Sequence, residues 1–287
     1  MKYILFILLL ANSLFGAKVE FEILGSGGPE LDGRASTSYL LWIDGEAKLI
    51  VDMGSGSMLH FEQSGAKLET LQAVVLTHLH IDHSVDLPAF MKAGFFSQRS
   101  DTLDIIAPDG NAYFPSTTEF LKMLFGKRGA YRYMQDILSD NSDSFKIVPI
   151  DIKRSTRRVY KDFSLEFIRV HHGIVPSLAL RIDVDGKSIV ISGDTNNEDK
   201  TLENISQNAD LFVAHHAVPQ AEQGYAIQLH MRPLMIGKIA KNAAVKKIVL
   251  THRMRRTLGD EKDSLKVIKS VYDGKVIFAE DRMKLEI

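Results

Sequence analysis

Short apolar runs broken by turn residues set the rhythm of the chain from residue 19 onward. Residues 19–24 read as a strand ending in the turn Gly25-Ser26-Gly27-Gly28-Pro29. Residues 38–43 and 48–52, joined across Asp44-Gly45, predict a β-hairpin. Residues 57–64 read as a helix. Residues 73–77 form a short apolar strand that runs directly into a group of histidines, and a buried strand that delivers polar residues at its C-terminal end is a common way to build a site. The pattern turns helical over 112–139, read as an inserted helical pair. It opens on Ser116-Thr117-Thr118-Glu119, a capping box with Ser116 as N-cap and Glu119 reaching back. Strands follow at 144–152, 164–170, 177–184 and 188–192, the last two joined by Asp185-Gly186. Residues 211–214 and 247–250 add two more, with a helix at 233–243 that carries Pro233 in its first turn. Two strand-rich halves with helices outside predict an α/β protein, a four-layer αββα sandwich. No repeat, low-complexity tract or linker divides residues 18–287, which read as one domain.

The N-terminus does not fit that scheme. Met1-Lys2, the apolar run 3–10, and then Ala11, Ser13, Gly16 and Ala17 have the layout of a secretory signal over 1–17, with cleavage after Ser13, Gly16 or Ala17. The run falls short of the roughly 20 residues a membrane span needs, so the expectation is a periplasmic or secreted protein with no membrane segment after cleavage. The 287 residues are 45% hydrophobic and 25% charged, enough for a substantial core. A formal charge of −1 without any Lys/Arg block gives no strong nucleic-acid signal. The chain has no cysteine, which excludes disulfides and leaves only His and carboxylate side chains as metal ligands.

The densest chemical signal is Thr77-His78-Leu79-His80-Ile81-Asp82-His83. In an extended segment residues two apart point the same way, so His78 and His80 can approach one metal. A helix beginning just afterwards would send Asp82 and His83 to a second. Crowded imidazoles repel one another when protonated unless something neutralises them. More ligands are needed, and three positions fit, each at the end of a predicted strand: His172, Asp194 and His252.

With these residues in place, the chain resembles the metallo-β-lactamase superfamily, and within it the ribonuclease Z-like and arylsulfatase-like branch. The similarity extends from Leu24-Gly25-Ser26-Gly27 and Val51-Asp52-Met53-Gly54 through the histidine motif to His172-Gly173-Ile174, Ser192-Gly193-Asp194-Thr195 and Leu250-Thr251-His252. The resemblance implies that His78, His80 and His172 hold one metal, that Asp82, His83 and His252 hold another, and that Asp194 bridges them. It further implies two zinc ions, with manganese or iron acceptable to the same donors, and a hydroxide held between them as nucleophile. Asp82 and His230 are the implied catalytic residues, His230 as the group that protonates the leaving oxygen. His216 stands near the position where ribonuclease Z has a glutamate paired with that histidine. Asp52, Thr77 and Thr251 are candidates to hold the second ring nitrogens of the ligands. Tyr131, Arg132 and Tyr133 could wall a substrate, although aromatic pairs at helical spacing more often pack. Gly25-Ser26-Gly27-Gly28 is a turn and not a nucleotide fingerprint, because the sixth position is Glu30.

The leading functional expectation is an exported hydrolase of sulfate or phosphate esters of a small aromatic-containing molecule, arylsulfatase-like. The alternative is a ribonuclease Z-like phosphodiesterase acting on RNA or cyclic nucleotides, or a lactone, β-lactam or thioester hydrolase. A small-molecule ester is the expected partner, and the resemblance also implies a homodimer.

Overall fold

The computed structural model describes residues 16–140, 142 and 145–287. The signal predicted over 1–17 therefore lies almost wholly outside the described residues, as does Ser144 at the start of one predicted strand. Among the described residues no helix is long and apolar enough to cross a membrane.

Two seven-stranded sheets form the centre. The first contains β1 (Val19–Gly25), β2 (Ser38–Ile43), β3 (Glu46–Val51), β4 (Ala73–Val75), β5 (Leu103–Pro108) and β6 (Ile147–Ile152), with β14 (Met283–Glu286) on the outside of β1. The second contains β7 (Thr156–Val159), β8 (Ser164–Val170), β9 (Ser177–Val184), β10 (Lys187–Ile191), β11 (Leu211–His215), β12 (Lys247–Thr251) and β13 (Lys275–Phe278) in sequence order. Each sheet starts as an antiparallel meander and becomes parallel: from β3 to β6 in the first, from β10 to β13 in the second.

Strand periodicity places the core. On β2 and β3, Tyr39, Leu41, Leu49 and Val51 face the second sheet and meet Leu165, Phe167, Leu178, Leu180, Ile189 and Val213. Their neighbours Leu40, Trp42 and Ile50 face outward, onto α1 (Ser57–Gln63), α3 (Leu87–Gly94) and α4 (Thr117–Phe125) through Phe61, Phe90, Met91, Leu121 and Phe125. On the far side Phe212, Ala214, Ile248 and Leu250 pack under α5 (Leu202–Ile205), α6 (Pro233–Asn242) and α7 (Glu261–Lys269) through Leu202, Ile205, Ile236, Ile239, Ala240 and Ile268. Strands buried on both faces read as unbroken apolar runs, which is what β11 and β12 show. The layers are α, β, β, α, as the sequence predicts.

The capping box at Ser116 is present: its hydroxyl accepts from the Glu119 amide while the Glu119 side chain accepts from the Ser116 amide. The second predicted helix of 112–139 is instead a 3-10 stretch, Arg132–Leu138. Gly126 ends α4 in extended backbone, and the short remainder closes with tighter turns. Tyr131 packs on Phe125 and Tyr133 lies under the Lys92 ammonium, so these aromatics serve the outer helical layer.

Candidate metal centre

The site forms where both sheets deliver their strand ends. β4 leads through Leu76 and Thr77 into His78 and His80, and the single turn α2 (Ile81–Ser84) carries Asp82 and His83. His172 follows β8, Asp194 follows β10, and His252 follows β12. A backbone bond from the Leu178 amide to the Thr77 carbonyl, 2.9 Å, ties the two sheets together beside these ends. All seven sequence-predicted ligands converge, and all but the half-buried His80 are buried.

Their donor atoms fall into groups that could each hold a cation: His78, His80, His172 and Asp194 in one; Asp82, His83 and His252 in another. Asp194 stands between them. Its Oδ2 lies 3.8, 3.7 and 3.5 Å from the Nε2 atoms of His78, His83 and His172, and its Oδ1 lies 3.6 Å from His252 Nε2. His83 Nε2 is also 3.5 Å from Asp82 Oδ2.

The hydrogen bonds behind the rings settle which nitrogen faces inward. Asp52 accepts from His83 Nδ1 at 2.8 Å, from the Thr77 amide at 2.6 Å and from the Thr77 hydroxyl at 2.8 Å. His172 Nδ1 donates to the Leu229 carbonyl at 3.1 Å. The Thr37 hydroxyl spends its proton on the Gly27 carbonyl, so its oxygen accepts from His252 Nδ1 at 2.7 Å. Each ring thus aims the lone pair of Nε2 at the centre, and His83 Nε2 and His172 Nε2 are buried with no hydrogen-bond partner. Unpartnered buried polar atoms are costly, and lone pairs converging on two carboxylates are relieved by cations. The residues fit a pair of divalent metals.

Electrostatics agree. Burial, reinforced by repulsion from His83, holds His78 well below the usual imidazole range, and burial does the same to His252 against the pull of Asp194. Burial and His172 lower His80. Neutral imidazole is the ligating form. Burial would lower His83 too, but Asp52, Asp82 and Asp194 together raise it to about 9. Asp82 and Asp194 are the negative charge a metal would meet. Burial would raise Asp194, yet His252, His230, the His215 bond and His83 hold it well below the usual carboxylate range, so it is ionised.

Strain concentrates here as well. Asp52 and His252 have φ of 61° and 53°, in the left-handed region that non-glycine residues rarely occupy. Gly193, at φ 58°, turns the chain so that Asp194 enters the site, and a Cβ there would lie 2.3 Å from the Leu178 carbonyl oxygen. Gly193→Ala is expected to lower both the melting temperature and the metal content, since left-handed backbone alone costs an alanine about 1–2 kcal/mol before the clash is counted. Calorimetry with elemental analysis checks this, and a variant that melts and binds metal like the parent would show the turn to be dispensable.

Among the candidate ring partners, Asp52 and Thr77 take that place. Thr251 does not: its hydroxyl lies 3.3 Å from that of Tyr39, and Thr37 serves His252 in its stead. His171, next to the ligand position, is half-exposed and lies 3.5 Å from Glu198. His230 reaches the centre, its Nδ1 buried without a hydrogen-bond partner and 3.8 Å from Asp194 Oδ1. His216 does not join it, but bonds the Ser264 hydroxyl on α7 at 2.9 Å. His215 and Tyr39 were not anticipated as site residues: His215 Nδ1 lies 2.7 Å from Asp194 Oδ1, and the Tyr39 hydroxyl lies 2.9 Å from His215 Nε2. Their only sequence signal is a histidine closing a buried strand.

Comparison with known proteins places this geometry. Residues 19–252 match the family described as "Anti-Pycsar protein Apyc1". The chain is 29% identical over 249 residues to ribonuclease Z of Mycobacterium sp. (strain KMS), covering 82% of this chain and 84% of that protein. Its structure is similar to that of the metallo-β-lactamase fold protein YhfI from Bacillus subtilis, with TM-score 0.76, 24% identity, and coverage of 94% of this chain and 100% of that one. It is also similar to human tRNase Z, short form, with TM-score 0.70, 21% identity, and coverage of 93% and 98%.

Proposed function

Because the chain belongs to the family described as anti-Pycsar protein Apyc1, has the metallo-β-lactamase fold and is a metal-dependent hydrolase of ester bonds, we propose that its substrate is a small phosphodiester of nucleotide type. The observation that carries this reading is the position of His230. It stands at the edge of the paired metal sites and lines a cavity of about 270 Å³ in which Arg232, Lys238 and the amides of Asn196 and Gln220 sit among four apolar side chains, a mixed lining suited to a phosphate ester with an apolar part. Similarity to ribonuclease Z supports a phosphodiester over the sulfate ester of the arylsulfatase-like reading. A near-neutral chain, and a His216 bonded to Ser264 instead of His230, favour a small diester over transfer RNA.

His78, His80 and His172 would hold one ion and Asp82, His83 and His252 the other, with Asp194 shared. Zinc suits these donors best, and manganese or iron are also compatible. Divalent ions bound there lower the pKa of water and neutralise charge developing on the phosphoryl oxygens. The chain supplies the proton traffic. Asp82, which shares its group with His83 and His252, is the carboxylate placed to take the proton of the attacking water. His230 holds the proton for the leaving oxygen. Burial takes its pKa down to about 4, with His172, His215 and Arg256 adding to the shift and Asp194 opposing it, so the resting ring is neutral. A diester anion arriving beside it favours the protonated form before the bond to the leaving oxygen breaks.

The test is a panel on the metal-loaded protein: bis-p-nitrophenyl phosphate, p-nitrophenyl phosphate, p-nitrophenyl sulfate, 2′,3′- and 3′,5′-cyclic nucleotides and a transfer-RNA precursor. Diester turnover, cyclic nucleotides included, is expected. Turnover confined to the sulfate would overturn the reading in favour of the arylsulfatase-like one. His230→Ala is expected to keep both metals and to lose about 10²–10⁴-fold in rate on diesters with poor leaving groups, and much less on p-nitrophenyl esters. Equal losses on both would remove His230 from the acid role. The signal-like pattern over residues 1–17 supports a periplasmic or secreted enzyme, and recovery of the full-length chain from the cytoplasm, with residue 1 intact, would contradict that.

A further inference from the structure

Asp194 has to serve two groups of ligands at once, which constrains how its carboxylate is turned. Oδ2 faces His78, His83 and His172, while Oδ1 faces His252. Rotation about the bond to the carboxylate would mix these assignments. A single short hydrogen bond opposes it: His215 Nδ1 to Oδ1, 2.7 Å, with the imidazole donating because the ionised carboxylate only accepts.

His215 is itself held on every side. Its amide donates to the Ser192 hydroxyl at 3.1 Å, beside the turn that launches Asp194. Its ring stacks on His252 with centroids 5.0 Å apart and planes at 22°. Its Nε2 is engaged by the Tyr39 hydroxyl at 2.9 Å, and Tyr39 is fully buried between the sheets, close to Thr251. With both ring nitrogens committed, His215 has no lone pair to give a metal, even though it lies close enough to Asp194 and His252 to complete a three-residue donor group.

We infer that His215, backed by Tyr39, is a positioning residue that fixes the rotation of Asp194, keeping Oδ1 beside His252 while Oδ2 faces His78, His83 and His172. The inference rests on the paired-metal reading of the site and not on the identity of the ester. It predicts an asymmetric defect, because Oδ1 is the oxygen that His215 holds beside His252, so the ion on the Asp82, His83 and His252 side should weaken first.

The experiment is competition of zinc-loaded protein against a chelator of known affinity, with no substrate present, on His215→Leu, His215→Asn and Tyr39→Phe. An asparagine amide can still donate to Asp194 from the place of Nδ1. His215→Leu is expected to release one of the two ions about 10–100-fold more readily, the usual effect of removing a partner behind a metal ligand. Tyr39→Phe should shift the same ion in the same direction by less, and His215→Asn should stay within a few-fold of the parent. Loss in His215→Asn equal to that in His215→Leu would make His215 a ligand and overturn the positioning role. Unchanged affinities in folded His215→Leu and Tyr39→Phe would also overturn it. Where His215→Leu fails to fold, the other two variants decide. A parent that binds no zinc at all would instead refute the paired-metal reading itself.

Discussion

Asp194→Ala is expected to lose bound metal and turnover together, with kcat falling by on the order of 10³-fold, the upper range for removing one preorganised group. Asp194 faces both ligand groups: its two oxygens lie within 3.8 Å of ring nitrogens of His78, His83, His172, His230 and His252. Its removal leaves those imidazoles around a cavity with one carboxylate, Asp82, where there had been two. It also strands the His215 donor in the interior. Asp194→Asn separates charge from shape, since it keeps an oxygen for His215 but not the anion. It should fold like the parent and still lose metal. A fully metallated, active Asp194→Ala protein would show that the centre is built elsewhere.

Asp52→Ala is expected to be the most destabilising single change outside the ligand set. Asp52 is wholly buried and accepts three hydrogen bonds, from the Thr77 amide, the Thr77 hydroxyl and His83 Nδ1. Breaking a buried charged pair by deleting one partner costs about 3–5 kcal/mol. At about 2–4 °C per kcal/mol for a domain of this size, the melting temperature should fall by roughly 10 °C. Metal content should fall with it, because the Nδ1 proton of His83 then keeps only a long 3.4 Å contact with the Thr77 hydroxyl. Thermal melts of metal-free and metal-loaded protein read the two effects separately. A variant that melts within a degree or two of the parent would remove Asp52 from its supporting role.

The site was more legible in the sequence than its support. His78, His80, Asp82 and His83 crowd into six residues, and His172, Asp194 and His252 each end a short apolar run, so local pattern is enough to pick them out. Thr37, Tyr39 and His215 were not legible, because their roles depend on contacts made across the two sheets between residues up to 215 positions apart. Thr251 shows the converse: its place beside a ligand in sequence suggested a bond to a ring, but strand alternation turns it toward Tyr39. The αββα layering followed from two strand-rich halves with helices outside, to which the apolar runs of β11 and β12 belong, whereas β7 and β14, edge strands with exposed charged positions, carry no such run. The 3-10 stretch at Arg132–Leu138 kept helical spacing in its sequence, and only its short length and the preceding glycines decide against an α-helix.

The most direct measurement is the metal content of the purified protein, by elemental analysis after supplementation with zinc or manganese. The account predicts about two divalent ions per chain, falling toward none in Asp194→Ala. A parent protein that holds no stoichiometric metal would contradict the paired-metal centre, and with it the hydrolysis proposed for this fold.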